Sequence, residues 1–248
     1  MIKRCIFGAM LFIVGMFLIS GRCFCEEKGP IGYWKFDEGQ GDVAKDSSGN
    51  DNDGKVIKLA EYSKWVDGKF GKALEFSGAG PETRGENGCV IIPEMGKYDY
   101  SKGLTIEAWV KLNDKHKRSD SAVIMFAEIN QFGFNFCFTY GSLYIRSCEG
   151  GDGKGCYTMS TAAKNPVEKN VWYHFAATYN DSIFKVYING EECAVSELNV
   201  PLTKWSNVIT IGSYMEGFAY PFNGIIDEVK LYDYPRTALD ILKDANIF

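Results

Sequence analysis

Apolar and polar positions alternate with a period of two along most of the chain, the pattern of half-buried β-strands. In 104–110 (LTIEAWV), Leu104, Ile106, Ala108 and Val110 share one face, and Thr105, Glu107 and Trp109 share the other. In 183–189 (IFKVYIN), Phe184, Val186 and Ile188 fall together. In 225–231 (IIDEVKL), strict alternation puts Asp227 on the face of Ile225, Val229 and Leu231. The same reasoning predicts strands over 31–37, 73–76, 89–92, 122–128, 133–139, 143–148, 156–160, 171–179 and 207–212. Turn signals separate them: Gly141-Ser142, the glycine-rich run 149–155, and Asn189-Gly190, a hairpin dipeptide because both residues tolerate positive φ. A helical period occurs at the C-terminus. There Thr237 is placed to cap a short helix, with Asp240 three residues on and an apolar stripe of Ala238, Ile241 and Leu242. Many short strands, regular turns and one short helix predict an all-β sandwich or jelly roll of two antiparallel sheets. Residues 39–54 (GQGDVAKDSSGNDNDG) are linker-like in composition. They are read as a long loop, because the strands on either side would otherwise lack partners, so 26–248 is one domain.

The first residues follow a different logic. Lys3 and Arg4 precede an uncharged apolar run over 5–20, and small residues, Cys23 and Cys25, precede Glu26. That is the layout of a secretory signal peptide over 1–25, too short in its apolar part for the ~20 residues of a membrane span. Cleavage leaves 24 Lys+Arg against 32 Asp+Glu, a net charge of -8 in place of -5. So acidic a chain lacks the clustered cations of a nucleic-acid surface. The expected location is secreted, cell-surface or periplasmic, with no membrane span after cleavage. Of eight cysteines, five remain: Cys89, Cys137, Cys148, Cys156 and Cys193. An oxidising compartment permits disulfides. Cys148 and Cys156 flank the glycine-rich turn EGGDGKG and form the best local pair, although five reduced cysteines fit the sequence nearly as well.

The order of local signatures resembles the laminin G-like family of the concanavalin A-like lectin/glucanase superfamily. The residues that carry the resemblance are GYWKFDEG at 32–39, DSSGNDNDG at 46–54, GKFGKALEFSG at 68–78 and LTIEAWVK at 104–111. They continue with WYHFAATYN at 172–180, VYINGEE at 186–192, ITIGSY at 209–214 and FNGIIDEVKLYDYPRTALDI at 222–241. The resemblance implies two curved antiparallel sheets of roughly a dozen strands, with the N- and C-terminal strands adjacent. It also implies a binding or adhesion module more often than an enzyme.

Three chemistries are worth weighing. The first is a structural calcium site. Calcium takes six to eight oxygens, and Asp37, Asp46, Asn52 and Asp227 supply them if the first loop lies near the last strand, as the resemblance implies. The same side chains suit a second role equally well, with Asp46 closing a turn and Asp227 meeting a lysine or a backbone N–H. The second is an aromatic platform for carbohydrate, built from Tyr140 and Tyr144 beside one turn and Tyr214, Phe218 and Tyr220 in the loop 212–223; loop-base packing is the alternative use of such rings. The third is glycoside hydrolysis, which needs two paired carboxylates. Asp227-Glu228 lacks the flanking glutamates of the glucanase strand motif, and Glu107 stands alone on its strand. No nucleophile elbow, zincin or P-loop motif occurs, and the two histidines, His116 and His174, have no nucleophile placed beside them. The sequence therefore predicts a secreted, non-catalytic module that binds carbohydrate or a surface glycoprotein. The rivals are a glycan-active hydrolase or lyase of the same sandwich class and an adhesive protein with protein partners only.

Overall fold

The computed structural model describes residues 28–78, 87–113, 122–129, 132–139, 142–148, 156–158, 167–197, 206–214, 216–217 and 220–246. The strands β1 (Gly32–Trp34), β2 (Val43–Ala44), β3 (Gly54–Ile57), β4 (Ser63–Asp67), β5 (Lys72–Ser77), β6 (Cys89–Ile92), β7 (Leu104–Leu112) and β8 (Ala122–Ile129) come first. β9 (Phe132–Thr139), β10 (Ser142–Cys148), β11 (Cys156–Thr158), β12 (Trp172–Asn180), β13 (Ile183–Ile188), β14 (Glu191–Glu197), β15 (Ile209–Ile211) and β16 (Asn223–Tyr232) follow, then helix α1 (Ala238–Ala245). They form two eight-stranded antiparallel sheets. One runs β14-β13-β12-β7-β16-β5-β4, with β1 also on β16; the other runs β11-β10-β9-β8-β15-β6-β3-β2. The chain ends meet as expected, since Trp34 pairs with Val229 and Gly32 with Leu231.

Alternation decides what lies between the sheets. Leu104, Ile106, Ala108, Val110 and Leu112 of β7 join Phe175, Ala177 and Tyr179 of β12, Phe184 and Val186 of β13, and Phe134, Phe136 and Phe138 of β9 in one buried core. Trp34 is fully buried and donates its indole N–H to the Asn52 carbonyl at 2.8 Å. The Asn189-Gly190 turn joins β13 to β14 with φ of 51° and 80°, the double positive pair that a tight hairpin needs.

All twelve strands read from alternation are present. Four more, β2, β3, β4 and β14, are not visible to that reading. The first three fall in or after the polar segment 39–54, where short strands carry little pattern. α1 forms where capping predicted it: Thr237 accepts from the Asp240 N–H, and Ile241 packs on Ala176 and Tyr187 of the first sheet's outer face.

Alternation fails at one place in β16. Glu228 adopts φ 52°, and the register with β7 shifts between Asp227 and Lys230. This bulge inserts one residue, so Ile226, Val229 and Leu231 face the core. Asp227 stands opposite Trp109 on the outer face instead of sharing a side with Val229 and Leu231.

Candidate functional site

The outer face of the first sheet is where polar chemistry gathers, and the chain covers most of it. The turn between β4 and β5 folds over Asp227. Its Lys69 and Phe70 N–H groups donate to Asp227 Oδ2 at 2.8 and 3.0 Å, and Phe70 meets Trp109 edge-on at 6.0 Å. Gly71, at φ 54°, leaves room for Asp37, whose Oδ1 accepts from the Lys72 N–H at 2.9 Å. Burial, helped by the charge of neighbouring Glu228, pushes the Asp227 carboxyl up to about 7, against the backbone N–H groups of Phe70, Lys69 and Glu228 that favour its ionised form. Glu228 is also raised by burial and accepts from the Tyr33 hydroxyl.

The C-terminal segment covers a second patch. Buried Glu107 lies 3.3 Å from His174 Nε2 and is paired with Arg236, which reaches Asp244 at 2.7 Å; Lys230 meets the same Asp244 at 2.8 Å. Burial pushes Asp244 up, but Lys230 and Arg236 outweigh it and hold the carboxyl below its ordinary range. Glu107 and His174 are both buried, Glu107 under the Arg236 guanidinium and His174 against the Trp109 ring.

One end of the same face stays open. Strand registers place Lys64 opposite Glu75, Glu75 opposite Ile225, Ile225 opposite Lys111, and Lys111 opposite Trp172, a single row across five strands. Beside this row is a cleft of about 410 Å³ whose lining includes Tyr62, Lys64, Glu75, Asn113, Asn170 and Asn223. Backbone bonds hold the three asparagines at one level: the Asn113 N–H donates to the Asn223 carbonyl at 3.1 Å, and the Asn170 N–H to the Leu112 carbonyl at 2.8 Å. Asn113 Nδ2 donates to Glu75 Oε1 at 2.9 Å, and Lys64 meets the other carboxylate oxygen at 2.9 Å. Side-chain amides, a hydroxyl-bearing ring and a fixed ion pair make a wall of directional donors and acceptors, suited to a ligand rich in hydroxyls.

The residues singled out from sequence fare differently. Asp46 closes the first loop: Oδ1 accepts from the Tyr33 and Ser48 N–H groups at 2.9 and 2.8 Å, and Oδ2 from Ser48 Oγ and the Asn52 N–H at 2.7 and 3.0 Å. Asn52 is buried and donates to the Ile31 carbonyl and to the Tyr98 hydroxyl. Asp37 and Asp227 serve the other turn. Asp46 and Asn52 thus meet at the first loop and Asp37 and Asp227 at the β4–β5 turn, and among the described residues no group of three or more His, Cys, Asp or Glu side chains is placed to hold a metal ion. Tyr214 and Tyr220 do meet, edge to face at 5.7 Å, and Tyr220 is 53% exposed. Tyr140 and Phe218 lie outside the described residues, as does the Tyr144 side chain. The backbone register sets Cys148 directly opposite Cys156, whose side chains also lie outside the described set; Cys89 and Cys137 are buried and Cys193 is half-buried. Residues 1–25 fall outside it as well, and no described helix is long and apolar enough to cross a membrane. The cleft itself escaped the sequence reading, because its asparagines come from three segments that only strand register joins.

A laminin G family model of the concanavalin A-like lectin/glucanases superfamily matches residues 84–242. The chain belongs to that superfamily. Its jelly roll also matches solved structures of the same build. Domain 4 of AbnA, a GH43 extracellular arabinanase from Geobacillus stearothermophilus, solved with arabinotriose, aligns with TM-score 0.66 at 19% identity over 88% of this chain and 98% of that one. The botulinum neurotoxin serotype D ligand binding domain, solved with N-acetylneuraminic acid, aligns with TM-score 0.64 at 14% identity over 88% and 50%. The binding domain of botulinum neurotoxin DC, solved with rat synaptotagmin II, gives TM-score 0.66 at 16% identity over 88% and 51%. By sequence, a stretch of this superfamily member is 33% identical over 78 residues to pappalysin-1 of Mus musculus, 29% of this chain and 5% of that protein. The chain therefore matches about 5% of the length of its curated relative, and these likenesses carry the fold.

Proposed function

We propose that the protein is an exported, non-catalytic module that binds carbohydrate through the cleft at the open end of the first sheet. The observation that carries this reading is the convergence of Asn113, Asn170 and Asn223 with Glu75 and Tyr62 around about 410 Å³ of open space on an otherwise covered face. Amide and carboxylate groups held by backbone bonds recognise hydroxyls at little ordering cost. The solved complexes of similar fold with arabinotriose and N-acetylneuraminic acid support a saccharide as the ligand class.

The non-catalytic part of this reading is supported by where the carboxylates of the described residues lie. Glu107 and Asp227 are buried under the C-terminal segment and the β4–β5 turn, and Glu75 and Glu61 at the cleft face Lys64 and Lys58. A glycosidase needs one carboxyl kept protonated beside a second across the scissile bond, and the open cleft offers no apolar pocket to do that. Calcium is not carried into this reading: Asp46 already receives four protein hydrogen bonds at the first loop, while Asp37 and Asp227 accept from backbone N–H groups at the β4–β5 turn.

A glycan array probed with the exported protein tests the proposal. Binding to a saccharide class, without release of reducing sugar, is the expected result. Attachment to a protein receptor with no glycan signal would replace this reading with the adhesive one.

A further inference from the structure

We infer that the open row beside the cleft is a subsite for the carboxylate of an anionic saccharide, with Lys111 as its counter-ion; this rests on the saccharide reading above. Three lysines lie in or near the cleft and the row. Lys64 is 2.9 Å from Glu75, and Lys58 is 3.7 Å from Glu61, so two of them are neutralised in place. Lys111 is not. Among the described residues no carboxylate pairs with it, and its ammonium sits 5.0 Å from the centre of the Trp172 ring.

The geometry separates this place from a stacking platform. A neutral sugar that stacks on an aromatic ring needs the ring face free. Here Lys111 takes a face of Trp172, and the cation–π contact holds the ammonium over the row. Trp172 therefore positions the charge. The ring quadrupole attracts the cation without consuming its N–H donors, and a lysine ammonium has three. An incoming carboxylate can accept from them while the ring stays in place.

Register sets the reach. Lys111 and Glu75 are each directly opposite Ile225, which is 7% exposed and forms a flat apolar floor between them. The two are thus two strand spacings apart, about 10 Å. Asn113 follows Lys111 by two residues and bonds Glu75, so the amide wall of the cleft lies alongside. A carboxylated sugar unit at Lys111 places its neighbouring unit over Ile225 and against Asn113 and Glu75. The row and the cleft lining carry Lys64 and Lys111 against Glu61 and Glu75; Lys64 meets Glu75, and Lys58, from outside the lining, meets Glu61, which leaves the Lys111 ammonium facing the row with no described carboxylate of its own.

Two matched ligand pairs test this by calorimetric titration of the exported protein: an oligogalacturonide against its methyl ester, and sialyllactose against lactose. The proposal expects an acid of at least one pair to bind about tenfold tighter than its neutral partner, weakening with salt. Lys111→Gln should remove that preference at an unchanged melting temperature, and Lys111→Arg should keep it. Equal affinity for acid and neutral forms, or an acid preference that survives Lys111→Gln, overturns the inference and leaves carbohydrate binding standing. Failure to bind all four, together with a blank glycan array, overturns both.

Discussion

Asp227 and Val229 are two residues apart in one strand, yet they lie on opposite faces of the sheet. The bulge at Glu228 turns Asp227 outward beneath the Lys69 and Phe70 amides, while Val229 joins the core. A buried carboxyl pushed up to about 7 makes stability depend on pH with a defined sign. An unfolded Asp loses its proton near pH 4, and the folded one near 7, so between those values the folded chain holds more protons and stability falls as pH rises. Glu228, also raised by burial, acts in the same direction. Asp227→Asn keeps an acceptor for the two amides and removes the titration. Denaturant melts at pH 4.5 and 7.5 should show wild type losing on the order of 1–4 kcal/mol more than the variant across that interval.

The Glu107–Arg236–Asp244 group predicts strong non-additivity. Arg236→Met leaves Glu107 buried and uncompensated, a change that costs about 3–5 kcal/mol in comparable sites. Adding Glu107→Gln removes the stranded charge, so the double variant should be more stable than Arg236→Met alone. Chemical denaturation of the three proteins reads this directly.

Asp46 is the hub of the first loop, with four hydrogen bonds received by its two oxygens. Asp46→Ala should lower stability by on the order of 2–4 kcal/mol by orphaning the Tyr33, Ser48 and Asn52 amides. Because protein donors already occupy this carboxylate, EDTA should leave the wild-type melting temperature unchanged. A chelator-dependent drop would restore a calcium role for the loop.

Cys148 and Cys156 are direct partners in an antiparallel pair and flank the glycine-rich sequence 149–155. In an oxidising compartment the account expects them to be joined, with Cys89, Cys137 and Cys193 remaining alkylatable after denaturation. Peptide mapping with and without reductant checks this: a linked 148/156 peptide is expected, and full alkylation of all five thiols without reductant is the contrary result.

How far the fold can be read from the chain depends on how much pattern each element carries. β7, β12 and β13 run for six to nine residues with one consistently apolar face turned to the core, so periodicity finds them. β2 has two residues and β3 four, and both sit among Asp, Asn and Gly that read as turn. β14 follows a clear Asn-Gly hairpin signal, but as an edge strand its residues are mostly exposed or half-buried, so no apolar face marks it. The bulge at Glu228 is illegible for another reason: a glutamate, and not a glycine, takes the positive φ. Asp46 was recognised as important, while its use, as a turn closer, depends on which amides surround it. The cleft was missed because Asn113, Asn170 and Asn223 are unremarkable singly and meet only through inter-strand bonds.

The proposed function puts saccharide recognition at the cleft and not at the exposed Tyr220 ring. Affinity titration of the best array ligand against Asn113→Ala/Asn223→Ala and against Tyr220→Ala, each checked for an unchanged fold by circular dichroism, tests it most directly. The expected result is at least about a tenfold loss for the cleft variant and little change for Tyr220→Ala. Full affinity in the cleft variant, with binding abolished by Tyr220→Ala, would contradict it.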